Sequence, residues 1–155
     1  MNIRDGSGMG EMTDGSARSI EELLEKRYWI IDLLPEVVPE KNGGQFFSAE
    51  AWFLKDPDLR RRQVRFLLKL NCYYDLTIAG EEEEIRNPKP EELASLVGRK
   101  YLNILAGEHC LISADHTDIY MTMYNPDARM LELAEKLASA EGLFVRKGAD
   151  DNPRR

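Results

Sequence analysis

The run Asp118-Ile119-Tyr120-Met121-Thr122-Met123-Tyr124-Asn125-Pro126-Asp127, continued to Gly142-Leu143-Phe144-Val145, decides the fold class. In its first part Ile119, Met121 and Met123 alternate with Tyr120, Thr122 and Tyr124, the period of two that a strand needs to present two faces. Asn125 is suited to cap a helix, Pro126 to open it, and Asp127 to place a negative charge in its first turn. Met130, Leu133, Ala134 and Leu137 then recur at three-and-four spacing, one buried stripe of a helix. Gly142 can take the left-handed conformation that ends a helix, and Leu143 to Val145 follow as a short strand. The stretch therefore reads as a C-terminal β-α-β unit. The crossover from Met123 to Leu143 is expected to add one parallel strand pair, right-handed as such connections are.

Upstream, the same reading gives alternating helices and strands joined mostly by short turns. Ser19 and Glu22 have the spacing of a capping box, opening a short helix to about Arg27. Tyr28 to Leu34 is an apolar run of strand length, stopped by Pro35, and Pro35 to Gly44 reads as a loop. Ser48 is placed to cap a short helix carrying Trp52, Phe53 and Leu54. Asp56 or Asp58, around Pro57, begins a longer helix to about Asn71. Tyr73 to Ala79 suits a strand, Gly80 a turn, and Pro90 the start of a helix ending near Gly98. Tyr101 to Ala106 and His109 to Ala114 flank Gly107 as a hairpin, with Asp115 to Asp118 as the next turn. The class expected is α+β: a largely antiparallel sheet with helices packed mainly on one side. A wound α/β sheet is the alternative.

Length and composition bound what such a fold can be. A chain of 155 residues is the size of one domain with its own core, here expected over 19–147 between tails at 1–18 and 148–155. The glycines and serines between Gly6 and Ser16 follow no strand, so they do not read as a phosphate-binding loop, and with no apolar run among them they do not read as a leader peptide. No apolar run approaches the roughly 20 residues of a membrane helix, so the expectation is a cytoplasmic protein without a membrane partner. The net charge of −7 disfavours non-specific binding to nucleic acid. Cys72 and Cys110 both lie in apolar segments and read as reduced core thiols.

Four groups of residues could carry function. The helix predicted after Asp56 puts Arg61, Arg65 and Lys69 on one face, a stripe that could hold a phosphate backbone. An exposed amphipathic helix paired with the protein's own acids, such as Glu81 to Glu84, accounts for the same residues. Glu108, His109, Asp115, His116 and Asp118 place two histidines among carboxylates on neighbouring candidate strands. They lack the spacing of any metal or hydrolase motif, and turn chemistry explains most of them. The aromatic residues around Phe46, Phe47, Trp52 and Phe53 follow a core pattern, yet the segment is too apolar to bury on one short helix. Rings left outside would mark a protein partner's surface or a homodimer contact. Finally, Glu81, Glu82, Glu83 and Glu84 form an acidic tip, either simply solvated or able to engage a basic partner.

No nucleophile elbow, P-loop, kinase motif set or zinc cluster occurs in the sequence, so no catalytic residue, cofactor or metal ligand is assigned. The expected function is a protein-binding module working through Phe46, Phe47, Trp52 and Glu81 to Glu84, an immunity-type inhibitor of a basic toxin being its sharpest form. Nucleic-acid binding through Arg61, Arg65 and Lys69 is the alternative, and a small enzyme the third. The blocks Leu67-Leu68-Lys69-Leu70-Asn71-Cys72-Tyr73-Tyr74-Asp75, Asp118 to Pro126 and Ala140 to Val145 resemble those of small uncharacterised bacterial proteins. The resemblance spans about Tyr28 to Lys147. It implies a bacterial domain and carries over no functional residue.

Overall fold

A computed structural model describes residues 20–80 and 82–148. Ser19 of the expected capping box, the tail 1–18, residues 149–155 and Glu81 lie outside the described residues; Leu23 and its neighbours do form a helical turn at 20–23. The strands are β1 (Tyr28–Asp32), β2 (Leu76–Ile78), β3 (Ile85–Arg86), β4 (Leu102–Ala106), β5 (Cys110–Ala114), β6 (Met121–Tyr124) and β7 (Phe144–Lys147). The helices, numbered from the first after β1, are α1 (Gly43–Lys55), α2 (Pro57–Asn71), α3 (Pro90–Leu96) and α4 (Ala128–Ala140). The described strands make one antiparallel sheet in the order β3-β2-β4-β5-β6-β1-β7. This is the α+β class expected from the sequence.

The order corrects the reading of the C-terminal unit. β7 pairs with β1, Ile31 opposite Val145, and β1 in turn pairs with β6, Ile31 opposite Met121. The crossover through α4 therefore spans β1, which lies between β6 and β7 and runs antiparallel to both. No parallel pair forms because the apolar strand Tyr28–Asp32 fills the gap with a full ladder on each side. The start of α4 also differs from expectation. Asp127, not Asn125, caps it by accepting from the Met130 amide at 2.8 Å. Asn125 instead takes a left-handed conformation (φ 61°) and donates from Nδ2 to the His109 carbonyl at 2.9 Å. Its role is to end β6, which itself begins at Met121 rather than Asp118.

Other boundaries follow local chemistry. Asp56 caps α2 by accepting from the Asp58 amide, with Pro57 at the first position. α1 starts at Gly43 after a 3-10 turn at Glu40–Asn42, so Ser48 lies inside the helix and does not cap it. Gly142 has φ 73°, and its amide and that of Leu143 bond back to Ser139 and Ala138, closing α4.

α2, α3 and α4 cover one sheet face. Phe66, Leu67 and Leu70 of α2, Leu93 of α3, and Met130, Ala134 and Ala138 of α4 pack with Ile31, Ile78, Ile104, Ile112, Met121 and Met123. On the other face Ile30 joins Leu59, Ile119 and Tyr120 in a second cluster, against which α1 places Phe46, Phe53 and Leu54. Leu23, Leu111 and Tyr124 form a third. Among the described residues no helix is long and apolar enough to cross a membrane.

Candidate functional site: the outer face of the first long helix

α1 has the sequence Gly43-Gly44-Gln45-Phe46-Phe47-Ser48-Ala49-Glu50-Ala51-Trp52-Phe53-Leu54-Lys55, and none of these residues is buried. Its inner side packs Phe46, Phe53 and Leu54 against the second core cluster. Phe47 and Trp52 keep 66% and 64% of their surface exposed, where large rings in a monomeric domain ordinarily find cover. Each outward ring leans on an anchored neighbour. The Phe46 and Phe47 centroids are 5.8 Å apart and tilted 58°, and Trp52 meets Phe53 edge-on at 5.5 Å and 80°. Such contacts restrict the exposed rings before any partner arrives, which lowers the ordering cost of binding.

Between the rings the helix surface is low. Gly44, Ser48 and Ala51 fall on the same side and are all exposed, at the spacing of one helical face. Beside Phe47 a cleft of about 750 Å³ opens, walled mainly by Val37, Val38, Pro39, Gly43, Phe46 and Phe47. Val37 is itself largely exposed. Rings thus flank a trough of small residues, with a mainly apolar cleft alongside.

The acidic tip does not belong to this surface. The described glutamates Glu82, Glu83 and Glu84 are exposed at the turn between β2 and β3, on the sheet edge remote from β1. Five strand intervals separate β3 from β1, roughly 24 Å at usual strand spacing. The turn is tight, since a Cβ on Gly80 would lie 2.3 Å from the Glu83 carbonyl oxygen. The rings of α1 and the described glutamates Glu82, Glu83 and Glu84 therefore lie on separate parts of the molecule, not on one surface.

The basic stripe of α2 is met by the protein's own acids, Glu141 and Asp58. Arg65 donates from Nε to Glu141 Oε1 at 2.8 Å, and Lys69 Nζ pairs with Glu141 Oε2. Arg61 and Arg62 meet Asp58 at 3.2 and 2.7 Å, and Arg62 also donates to the Glu141 carbonyl at 2.9 Å. Arg60 bonds to Gln63 and to the His116 carbonyl. Only 5% of the Glu141 side chain is exposed. Burial pushes its carboxyl upward, but the hydrogen bonds from Lys69 and Arg65 and their charges outweigh that and hold it below the usual range. The hydrogen bond from Arg62 holds Asp58 low as well, desolvation opposing it and the charges of Arg62 and Arg61 adding to it. These contacts tie α2 to the end of α4.

His109 and His116 do not converge. They sit beyond opposite ends of β5, seven residues apart and thus roughly 23 Å along an extended chain. His109 is in the β4–β5 turn beside Glu108, and His116 leans on Asp115 at 3.1 Å. Among the described residues no group of three or more His, Cys, Asp or Glu side chains is placed to hold a metal. The two cysteines are free, and one departs from expectation: Cys72 is exposed at the end of α2, while Cys110 is core. Burial, with a smaller contribution from the Asp127 charge, pushes the Cys110 thiol up to about 12.

Two features were not singled out from the sequence. Asp32, inside the apolar run of β1, is fully buried and accepts from Arg146 of β7 at 3.0 Å. Its signal was an acid at an inward position of a strand. On the same sheet face a hollow of about 370 Å³ is bordered by Ser113, Asp115, Asp118 and Thr122. Its residues come from turns and alternate strand positions that no spacing rule connects. No protein-family model, curated protein or solved structure matches the chain.

Proposed function

We propose that this protein is a protein-binding domain that docks an apolar helix of a partner chain on the outer face of α1, with Phe47 and Trp52 as anchors. The observation that carries this reading is a thirteen-residue helix, rich in aromatic and small residues, of which no residue is buried. Aromatic anchors flanking a trough are the residues that dominate binding energy at protein interfaces. Burial of both rings on a partner would supply several kcal/mol, on the order of 1.5–3 for each large side chain. In this reading Glu82, Glu83 and Glu84 stand too far away for contact and contribute only long-range negative potential. Nothing in the arrangement of Arg61, Arg65 and Lys69 favours the nucleic-acid alternative, because each already meets a carboxylate.

A photo-crosslinking amino acid at Gln45, exposed on the Trp52 side of α1 two turns before that ring, tests the reading in the full chain inside its host cell. The same group at Glu135, exposed on α4, is the control. A protein adduct from Gln45 alone is expected. The captured chain, once purified, should bind wild type and lose at least about tenfold in affinity toward a Phe47→Asp/Trp52→Asp variant. Absence of a Gln45 adduct, or equal binding to that variant, would overturn the proposal.

A further inference from the structure

The α1 face offers more than apolar surface: its pattern is complementary to itself. We infer that the partner docked there is a second copy of this chain, with the two α1 helices packed antiparallel about a two-fold axis near Ser48 and Ala51. The inference rests on the docking reading above and names its occupant.

A two-fold contact brings the same patch together from both copies, so whatever lies off-centre must suit its own symmetry mate. Along α1 the centre is small (Ser48, Ala51) and the bulky rings flank it, Phe47 to one side and Trp52 to the other. Antiparallel packing about that centre lets the backbones approach through the small residues. It gathers both Phe47 rings on one flank and both Trp52 rings on the other. Parallel packing would give neither end of the helix a complementary charge.

Charge selects the antiparallel form. Glu40, in the 3-10 turn just before α1, and Lys55, in its last turn, are both exposed, and neither has an ion-pair partner among the described residues. With the axis at 48–51, Lys55 of one copy comes level with Gly44 of the other, within side-chain reach of Glu40. The contact thus gains two Lys55–Glu40 pairs on its rim and sets the helix dipoles antiparallel, side by side.

Area sets the strength. Two rings of 150–250 Å² each, about two-thirds exposed, offer roughly 200–300 Å² per copy. A helix about 20 Å long with its adjoining cleft adds a comparable amount. The total falls near or below the 1,200 Å² that bounds standard interfaces from below. The dimer is therefore a reversible one, with a dissociation constant on the order of micromolar.

Analytical ultracentrifugation of the full chain between about 1 and 200 µM reads this directly. Wild type should shift from monomer to dimer across that range. Phe47→Ser/Trp52→Ser, checked for folding by circular dichroism, should raise the dissociation constant at least about tenfold. Should that variant not fold, Ala51→Arg at the centre replaces it with the same expectation. Lys55→Glu alone should weaken the dimer, and Lys55→Glu combined with Glu40→Lys should restore it. A dimer indifferent to the ring or centre variants, or charge reversal that fails to restore, would overturn the inference. A wild type monomeric at 200 µM would do so too. If Gln45 then crosslinks a different protein, the docking reading stands and only its occupant is wrong; if Gln45 crosslinks nothing, both fall.

Discussion

α1 and α2 are consecutive helices of nearly equal length, separated by Asp56 alone, yet they meet the rest of the molecule in opposite ways. α2 is crowded with charge and buries Leu59, Gln63, Phe66, Leu67 and Leu70. α1 has the more apolar composition, yet none of its residues is fully buried. Periodicity, not apolar content, decides what a fold covers. In α2 the apolar residues recur at three and four, forming a stripe that seats on the core, while Arg61, Arg62, Arg65 and Lys69 occupy the other side. In α1 Phe46 and Phe47, like Trp52 and Phe53, are adjacent in sequence and so point about 100° apart. One ring of each pair can reach the core and the other cannot.

The comparison breaks most clearly on stability. Phe66→Ala removes a ring with no exposed surface from the centre of the core and should cost about 3–5 kcal/mol. Phe47→Ala and Trp52→Ala, measured below the concentration at which copies associate, should each stay within about 0.5 kcal/mol of wild type. Urea denaturation of the three variants compares them. A loss above about 1.5 kcal/mol for either α1 variant would mean that the rings serve the fold, and the contrast between the helices would be void.

The charges of α2 provide the second contrast. Glu141 is nearly buried, with Arg65 and Lys69 on its two oxygens, so Glu141→Gln should cost about 1–3 kcal/mol at neutral pH by leaving those cations half-satisfied. The pH dependence has a definite sign. Because its folded-state value lies below the ordinary 4.5, the carboxylate stabilises the fold fully above that ordinary value. The stabilisation fades as pH falls through the lower folded value. Wild type and Glu141→Gln should therefore converge in stability as the solution is acidified below about pH 4.5. A gap that stays constant down to pH 2.5 would show that Glu141 acts by shape and not by charge.

Much of this was legible in the residues themselves. Asp56-Pro57 announces the start of α2, Gly142 the end of α4, and Gly107 the β4–β5 hairpin, because each acts through backbone geometry within a few residues. What stayed hidden is non-local. That β1 slots between β6 and β7 depends on a ladder joining Ile31 to Val145, more than a hundred residues on, and the strand pattern alone fits either neighbour. Glu141 as counter-ion of Arg65 lies 76 residues away, a separation that no local spacing in the sequence reveals. The outward turn of some α1 rings could be anticipated from an excess of apolar side chains over available cover. Which rings turn out, Phe47 and Trp52, depends on where Ile30 and Tyr120 present a surface to Phe46 and Phe53.

The smallest effect sharpens the separation between α1 and the acidic tip. Glu82→Gln/Glu83→Gln/Glu84→Gln removes three of the charges behind the net −7 from a solvated turn, so stability should move by less than about 0.5 kcal/mol. Its influence on the α1 contact is a matter of screening length. At physiological ionic strength the Debye length is about 8 Å, well short of the roughly 24 Å between β3 and β1. Association measured at 150 mM salt should be the same for wild type and triple variant. At about 10 mM salt the Debye length reaches about 30 Å, the tips of two like-charged copies begin to repel, and the variant should dimerise the more tightly. A triple variant that weakens association at 150 mM would place the glutamates in the interface itself and join the two surfaces that the sheet holds apart.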